Sequence, residues 1–136
     1  MSQTELDPHV ERVFDAFNDH DAGGAAEEFA ERGMYYEAPQ NREFSRDEFR
    51  EYFADDVFET FPDYRVEAMK VFTTANWATT MKWLFSGTHE GAMRGFEPTG
   101  KNVSLLVVSV VTVSDDGISS WRNFFNIDAL DEQLNR

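Results

Sequence analysis

Near Tyr64 the hydrophobic period of this chain changes from that of a helix to that of a strand. Before it, apolar residues recur every three or four positions; after it, they alternate. Helices followed by a run of strands predict an α+β domain, with helices on one face of a curved, mainly antiparallel sheet. Asp7-Pro8 reads as an N-cap with proline at the first helical position, and Val10, Val13, Phe14 and Phe17 carry the helical stripe onward. Asn18–Gly24 breaks it. A short second helix is expected at Ala25–Glu31, carrying Phe29, and then an extended segment at Met34–Pro39. Ser45-Arg46-Asp47-Glu48 has the capping-box pattern, with Phe44 and Phe49 placed as its hydrophobic staple. The third helix turns Phe49, Phe53 and Val57 one way and ends near Pro62. Strands are expected at about 64–74, 77–89, 102–113 and 118–127. Asp115-Asp116-Gly117 is a hairpin turn, Glu97–Gly100 a second turn, and Asp128–Asn135 a last short helix. The 136 residues hold one such domain, 1–136.

The strand at 103–113 is apolar on both faces. Val103, Leu105, Val107, Ser109 and Val111 share one side; Leu106, Val108 and Val110 share the other. A sheet covered by helices on one side only alternates apolar with polar residues. With no spare chain for the second face, a homodimer through the open sheet face is expected.

Charge excludes several partners. Twenty-six acidic residues against 12 basic ones give −14, and only Lys70, Lys82 and Lys101 are lysines. Such a chain lacks the basic footprint that a nucleic acid requires, and anionic membrane surfaces repel it. No apolar run reaches the length of a spanning helix, Met1–Val10 does not read as a signal peptide, and there is no cysteine. A cytoplasmic location is expected. The acid surplus is either ordinary surface polarity or adaptation to a cytosol rich in salt, where screening shortens the Debye length to ~3 Å at ~1 M. Dense acids with few lysines favour a halophilic source.

Few residues offer chemistry. Gly95–Asn102 nearly spells a phosphate-binding loop. Asn102 replaces the magnesium-binding hydroxyl, a β-run follows where a helix is needed, and Pro98 removes a backbone donor, so the segment reads as a turn. His9, His20 and His89 are too scattered for a metal site, and His89 is expected at a rim or surface. There is no Gly-x-Ser-x-Gly and no thiol nucleophile. Acid–base or binding chemistry in an aromatic cavity remains. Tyr35 and Glu37 share one face of a strand; Trp121, Asn123 and Phe125 share a face of another, and Ser109 lies on the strand paired with it. A carboxylate among aromatic walls has its pKa raised by desolvation, toward the range of a general base. Glu37 is either that group or a solvated acid at a strand end. Tyr35 and Trp121 serve either the core or the chemistry. Asn123, an amide between two aromatic residues, needs partners, from the protein or from a ligand.

Gly87-Thr-His-Glu-Gly91, Pro98-Thr-Gly-Lys101 and Asp116-Gly-Ile…Trp121-Arg-Asn-Phe-Phe-Asn126 resemble the SnoaL-like polyketide cyclase family. That family lies in the nuclear-transport-factor-2-like superfamily, with ketosteroid isomerases and limonene epoxide hydrolases. The resemblance spans about residues 7–134. It implies a cone-shaped fold, with three N-terminal helices and the sheet enclosing a largely apolar pocket, and no cofactor. Trp121–Asn126 is similar to a hydrolase run whose first Asp is a catalytic acid/base; this chain has Asn123 there. The hydrolases' Arg-x-Asp pair is matched by neither Lys82/Leu84 nor Trp83/Phe85. The cyclase histidine and the isomerase oxyanion-holding Asp both align with Ser109. Phe29–Pro39 is similar to the hydrolase segment that holds water, with Tyr35 kept and Glu37 replacing Asn. Against the isomerases, Glu37 falls on the catalytic Asp, given a one-residue gap before Pro39. The isomerase oxyanion Tyr falls near Val13 or Phe14 and is absent.

Tyr35, Glu37, Ser109 and Asn123 are thus the candidate catalytic groups. Phe14, Phe17, Phe53, Trp83, Trp121 and Phe125 are the candidate walls for a small apolar ligand. One expectation is a cyclase or isomerase in which Glu37 abstracts a proton beside a carbonyl and Tyr35, Ser109 or Asn123 stabilises the enolate. Another is a binding protein that has lost the family's acid and histidine. A third is a dimeric interaction domain with a filled core.

Overall fold

The computed structural model describes residues 6–73 and 78–135. Helix α1 (Pro8–Asn18) starts as the sequence predicts: the Asp7 carboxylate accepts the His9 N–H at 2.8 Å, and proline opens the first turn. It buries Val10, Val13, Phe14, Ala16 and Phe17. Helix α2 lies earlier than expected, at Ala22–Glu27, because Asp21 caps it by accepting the Gly24 N–H at 2.9 Å. A Cβ at position 24 would crowd the capping carboxylate, and glycine there leaves it room. Phe29 therefore opens strand β1 (Phe29–Glu37) and is not helical.

A 3-10 turn at Ala38–Gln40 and Asn41, in the left-handed conformation at φ 48°, reverse the chain into strand β2 (Arg42–Ser45). This hairpin was not expected. Helix α3 (Arg46–Tyr52) has the full capping box: Ser45 Oγ accepts the Glu48 N–H at 3.2 Å, and Glu48 Oε1 accepts the Ser45 N–H at 2.9 Å. It runs through a π-helical turn at Phe53–Val57 into α4 (Phe58–Thr60). Strands β3 (Arg65–Thr73), β4 (Ala78–Thr88), β5 (Asn102–Ser114) and β6 (Gly117–Phe124) follow, then helix α5 (Ile127–Leu134), capped by Asn126. The expected strand limits at 74 and 77 lie outside the described residues.

The sheet order is β2-β1-β6-β5-β4-β3. Only β1 and β6 pair in parallel; the other neighbours are antiparallel. This is the mixed α+β, curved-sheet architecture that the sequence predicts. The inner face of β5 is buried, while Leu106 and Val108 on its outer face are 48% and 38% exposed. Phe124 on β6 and Phe72 on β3 are also exposed. Among the described residues no helix is long and apolar enough to cross a membrane.

The core is a mesh of rings. Phe17 stacks on Phe53 at 4.7 Å, and Phe14 meets Trp83 and Trp121 edge-on at 5.5 and 5.8 Å. Such pairs add about 0.5–1.5 kcal/mol each beyond burial. His89 departs from expectation: its ring is fully buried, because the turn at residues 97–100 folds over it. The Thr99 N–H donates to its Nδ1 at 3.1 Å, and its backbone joins Gly100 and Lys101.

Candidate functional site

Alternation along β1 turns both Tyr35 and Glu37 inward. The parallel register then sets Tyr35 beside Trp121 and Glu37 beside Asn123, while the antiparallel register sets Ser109 opposite Asn123. All five are buried. Three distant segments thus bring the four candidate polar groups into one network.

The direction of that network follows from its donors. An indole N–H can only donate. Trp83 Nε1 donates to Ser109 Oγ at 2.8 Å, so the Ser109 hydroxyl passes its own proton to Asn123 Oδ1. Trp121 Nε1 donates to the same oxygen at 2.7 Å. With its oxygen so engaged, the Asn123 amide turns Nδ2 to the Tyr35 hydroxyl at 2.7 Å. Tyr35 in turn donates to Glu37 Oε2 at 3.0 Å. Every link points toward the carboxylate. On the other side Tyr52 donates to Glu37 Oε1 at 3.2 Å, and Gln40 Nε2 donates to the same oxygen.

Burial pushes the Glu37 pKa above the ordinary carboxylate value. The hydrogen bonds from Tyr35, Gln40 and Tyr52 and the charge of Arg42 oppose that rise without cancelling it. Burial, and next the charge of Glu37, hold Tyr35 and Tyr52 well above the usual phenol value. Both stay protonated donors while the carboxylate titrates.

Glu37, Tyr35 and Asn123 line a cavity of about 370 Å³ between the sheet and the helical stretch 46–60. That volume suits a small organic molecule. Of the candidate walls, Phe53, Trp83 and Phe125 line it. Phe14, Phe17 and Trp121 do not: they are consumed in the ring mesh behind the wall. Ser109 is also behind the wall, linking Trp83 to Asn123. Further wall comes from Val57, Phe61, Phe85, Leu105, Val107 and Leu130. Arg94 also lines the cavity and clasps Asp131 with two hydrogen bonds, of 2.9 and 2.8 Å.

The sequence reading missed Gln40, Tyr52 and Tyr64. Gln40 reaches Glu37 only because the 3-10 turn folds back, and Tyr52 lies off the Phe49/Phe53 stripe. Tyr64, expected to open the strand at 64–74, lies instead in the turn before β3, with its N–H donating to the Phe61 carbonyl. Among the described residues no three histidine or acidic side chains converge as metal ligands.

A family model described as SnoaL-like polyketide cyclase matches residues 8–134. No functionally curated protein matches the chain. AclR of Streptomyces galilaeus, a suggested hydroxylase, superposes with a TM-score of 0.80 at 20% identity, over 93% of this chain and 82% of that one. A protein of ketosteroid isomerase-like fold from Catenulispora acidiphila, solved with trimethylamine, gives 0.82 at 13% identity, over 96% and 95%. IdmH of Streptomyces antibioticus, a suggested polyketide cyclase, gives 0.79 at 17%, over 94% and 96%. Identities this low speak for the fold and not for the chemistry.

Proposed function

The chain belongs to the SnoaL-like polyketide cyclase family, and we propose that it is a cofactor-independent cyclase or isomerase of a small apolar carbonyl compound. Glu37 takes a proton from the carbon beside the carbonyl, and the C–H electron pair becomes an enolate. The enolate carbon either attacks a second carbonyl carbon of the same molecule, closing a ring while that C=O π pair becomes an alkoxide, or, where a double bond lies beyond the enolate, the charge moves to the far carbon and the double bond shifts. Glu37 then returns the proton. The observation that carries this reading is one buried carboxylate at the cavity wall, with raised proton affinity and three side-chain donors fixing its oxygens. The test is deuterium exchange at the acidic carbon of 2-tetralone in D2O, followed by NMR. The protein is expected to accelerate exchange above buffer.

A second reading, a binding protein, draws on Asn123. An amide neither gives nor takes a proton at neutral pH, and this one is bonded at both ends. If 2-tetralone raises the unfolding temperature while exchange stays at the buffer rate, binding alone is the function.

The outer sheet face supports a homodimer. Leu106, Val108, Phe124 and Phe72 are exposed there. Around them the strand alternation sets Arg65, Lys70, Lys82 and Arg122, with Glu67 and Glu43 as the acids. Two chains of −14 meet on this face without an acid surplus between them. Sedimentation is expected to give a dimer at micromolar concentration. Val108→Glu is expected to give a folded monomer; a monomeric parent chain would contradict the proposal. The remaining surface is acidic enough that its self-repulsion is relieved by salt. The unfolding temperature is expected to rise between ~0.1 M and ~1 M KCl, as suits a halophilic source, and a flat or falling response argues against that origin.

A further inference from the structure

The enolate proposed above needs a hydrogen-bond donor, and the hydroxyls around Glu37 are already engaged. The Tyr35 hydroxyl donates to Glu37 and accepts from Asn123. Tyr52 donates to Glu37. The Asn123 oxygen accepts from Trp121 and Ser109.

Tyr64 differs. It lines the same cavity and is only 6% exposed, yet its hydroxyl has no hydrogen bond with any described residue. We propose, resting on the role given to Glu37, that Tyr64 is the donor offered to the substrate's carbonyl oxygen. The oxygen-bearing end of the ligand then lies between Tyr64 and Glu37, and the ligand class is an enolisable ketone or its enol.

Two features besides the free hydroxyl support this. First, the ring is immobilised. It stacks on Phe85 at 4.9 Å and meets Phe58, Phe17 and Phe53 edge-on at 5.5, 5.8 and 6.1 Å. Its backbone is pinned as well: the N–H donates to the Phe61 carbonyl at 2.9 Å, and the carbonyl accepts from His20 Nε2 at 2.8 Å. A donor so held needs no reorganisation when charge develops on the oxygen. Second, burial and then the charge of Glu37 raise the Tyr64 pKa well above the phenol value. The group therefore remains a proton donor wherever the carboxylate works as a base. A hydroxyl left dry without a partner costs free energy, so a ligand lacking an oxygen is disfavoured at this wall.

The experiment compares two probes of similar shape, 2-naphthol and 2-methylnaphthalene, by fluorescence titration of the parent chain and Tyr64→Phe. The variant keeps the ring contacts and loses no protein hydrogen bond, so its unfolding temperature is expected to match the parent. Naphthol affinity is expected to fall about fivefold, while methylnaphthalene affinity rises, because the variant leaves no hydroxyl dry against it. Equal loss for both probes, no loss for either, or no binding of naphthol by the parent chain overturns the proposal. Failure of the Glu37 reading is separate: it is read in deuterium exchange by Glu37→Gln.

Discussion

Replacing Glu37 with glutamine is expected to abolish most proton transfer while making the protein more stable at neutral pH. The two effects have one cause. A carboxylate buried at the cavity wall is a better base than an exposed one, and the same desolvation works against the folded state once the group is ionised. Loss of a positioned base lowers rates by roughly 10²–10⁴-fold, so exchange into 2-tetralone is expected to fall to near the buffer rate. For stability, the folded-state pKa is raised above the unfolded value. The favourable contribution is then full below the unfolded carboxylate pKa of about 4.3 and is lost as pH rises through the folded value. The parent chain therefore loses stability relative to Glu37→Gln across that window, and the variant is the more stable above it. Urea unfolding of both proteins from acid to neutral pH measures the difference, in which the other acidic groups cancel. Undiminished exchange refutes the base role. A flat difference in stability shows that Glu37 is not raised.

How much of this was legible in the sequence depends on the range of the cause. The Asp7-Pro8 start, the Ser45/Glu48 capping box and the Asp115–Gly117 turn are local chemistry, and the structure has each of them. Alternation correctly turned Tyr35 with Glu37, and Trp121 with Asn123, to one side. The parallel pairing of β1 with β6, which brings those two pairs together, is a contact between segments some 85 residues apart, and no local pattern encodes it. An apolar stripe says inward but not how far: Phe53 reaches the cavity, while Phe17 and Trp121 stop in the ring mesh. Tyr52, Gln40 and Tyr64 were invisible for a related reason. Their placement rests on a 3-10 turn, a π-helical turn and the loop before β3, which interrupt the periodicity that sequence reading uses. His89 looked like a rim residue because nothing in its own segment reveals that the later turn at 97–100 covers it.

Asn123→Asp, which places at this position the acid that the family resemblance implies, is predicted to destabilise the protein by about 3 kcal/mol at neutral pH and to move its activity toward alkaline pH. Trp121 and Ser109 both donate to the present amide oxygen, and a carboxylate there keeps those bonds. Its second oxygen, however, takes the place of the amide nitrogen that donates to Tyr35. Two acceptors then compete for one phenol proton, because Tyr35 also serves Glu37. Two buried carboxylates sharing one donor cannot both ionise cheaply, so the pair binds an extra proton and its upper apparent pKa rises. By the same sign rule the loss is small in acid and grows as pH rises through that value. Proton abstraction needs the ionised base, so the pH–exchange profile shifts the same way. The double variant Glu37→Gln/Asn123→Asp removes one of the competing charges and is expected to recover most of the lost stability, a coupling that the two single variants alone do not predict. If Asn123→Asp is as stable as the parent at neutral pH and its profile does not move, the chain of donors does not run from the indoles to Glu37. If the single loss persists undiminished in the double variant, the new carboxylate disturbs the indole side of the network and not the shared tyrosine.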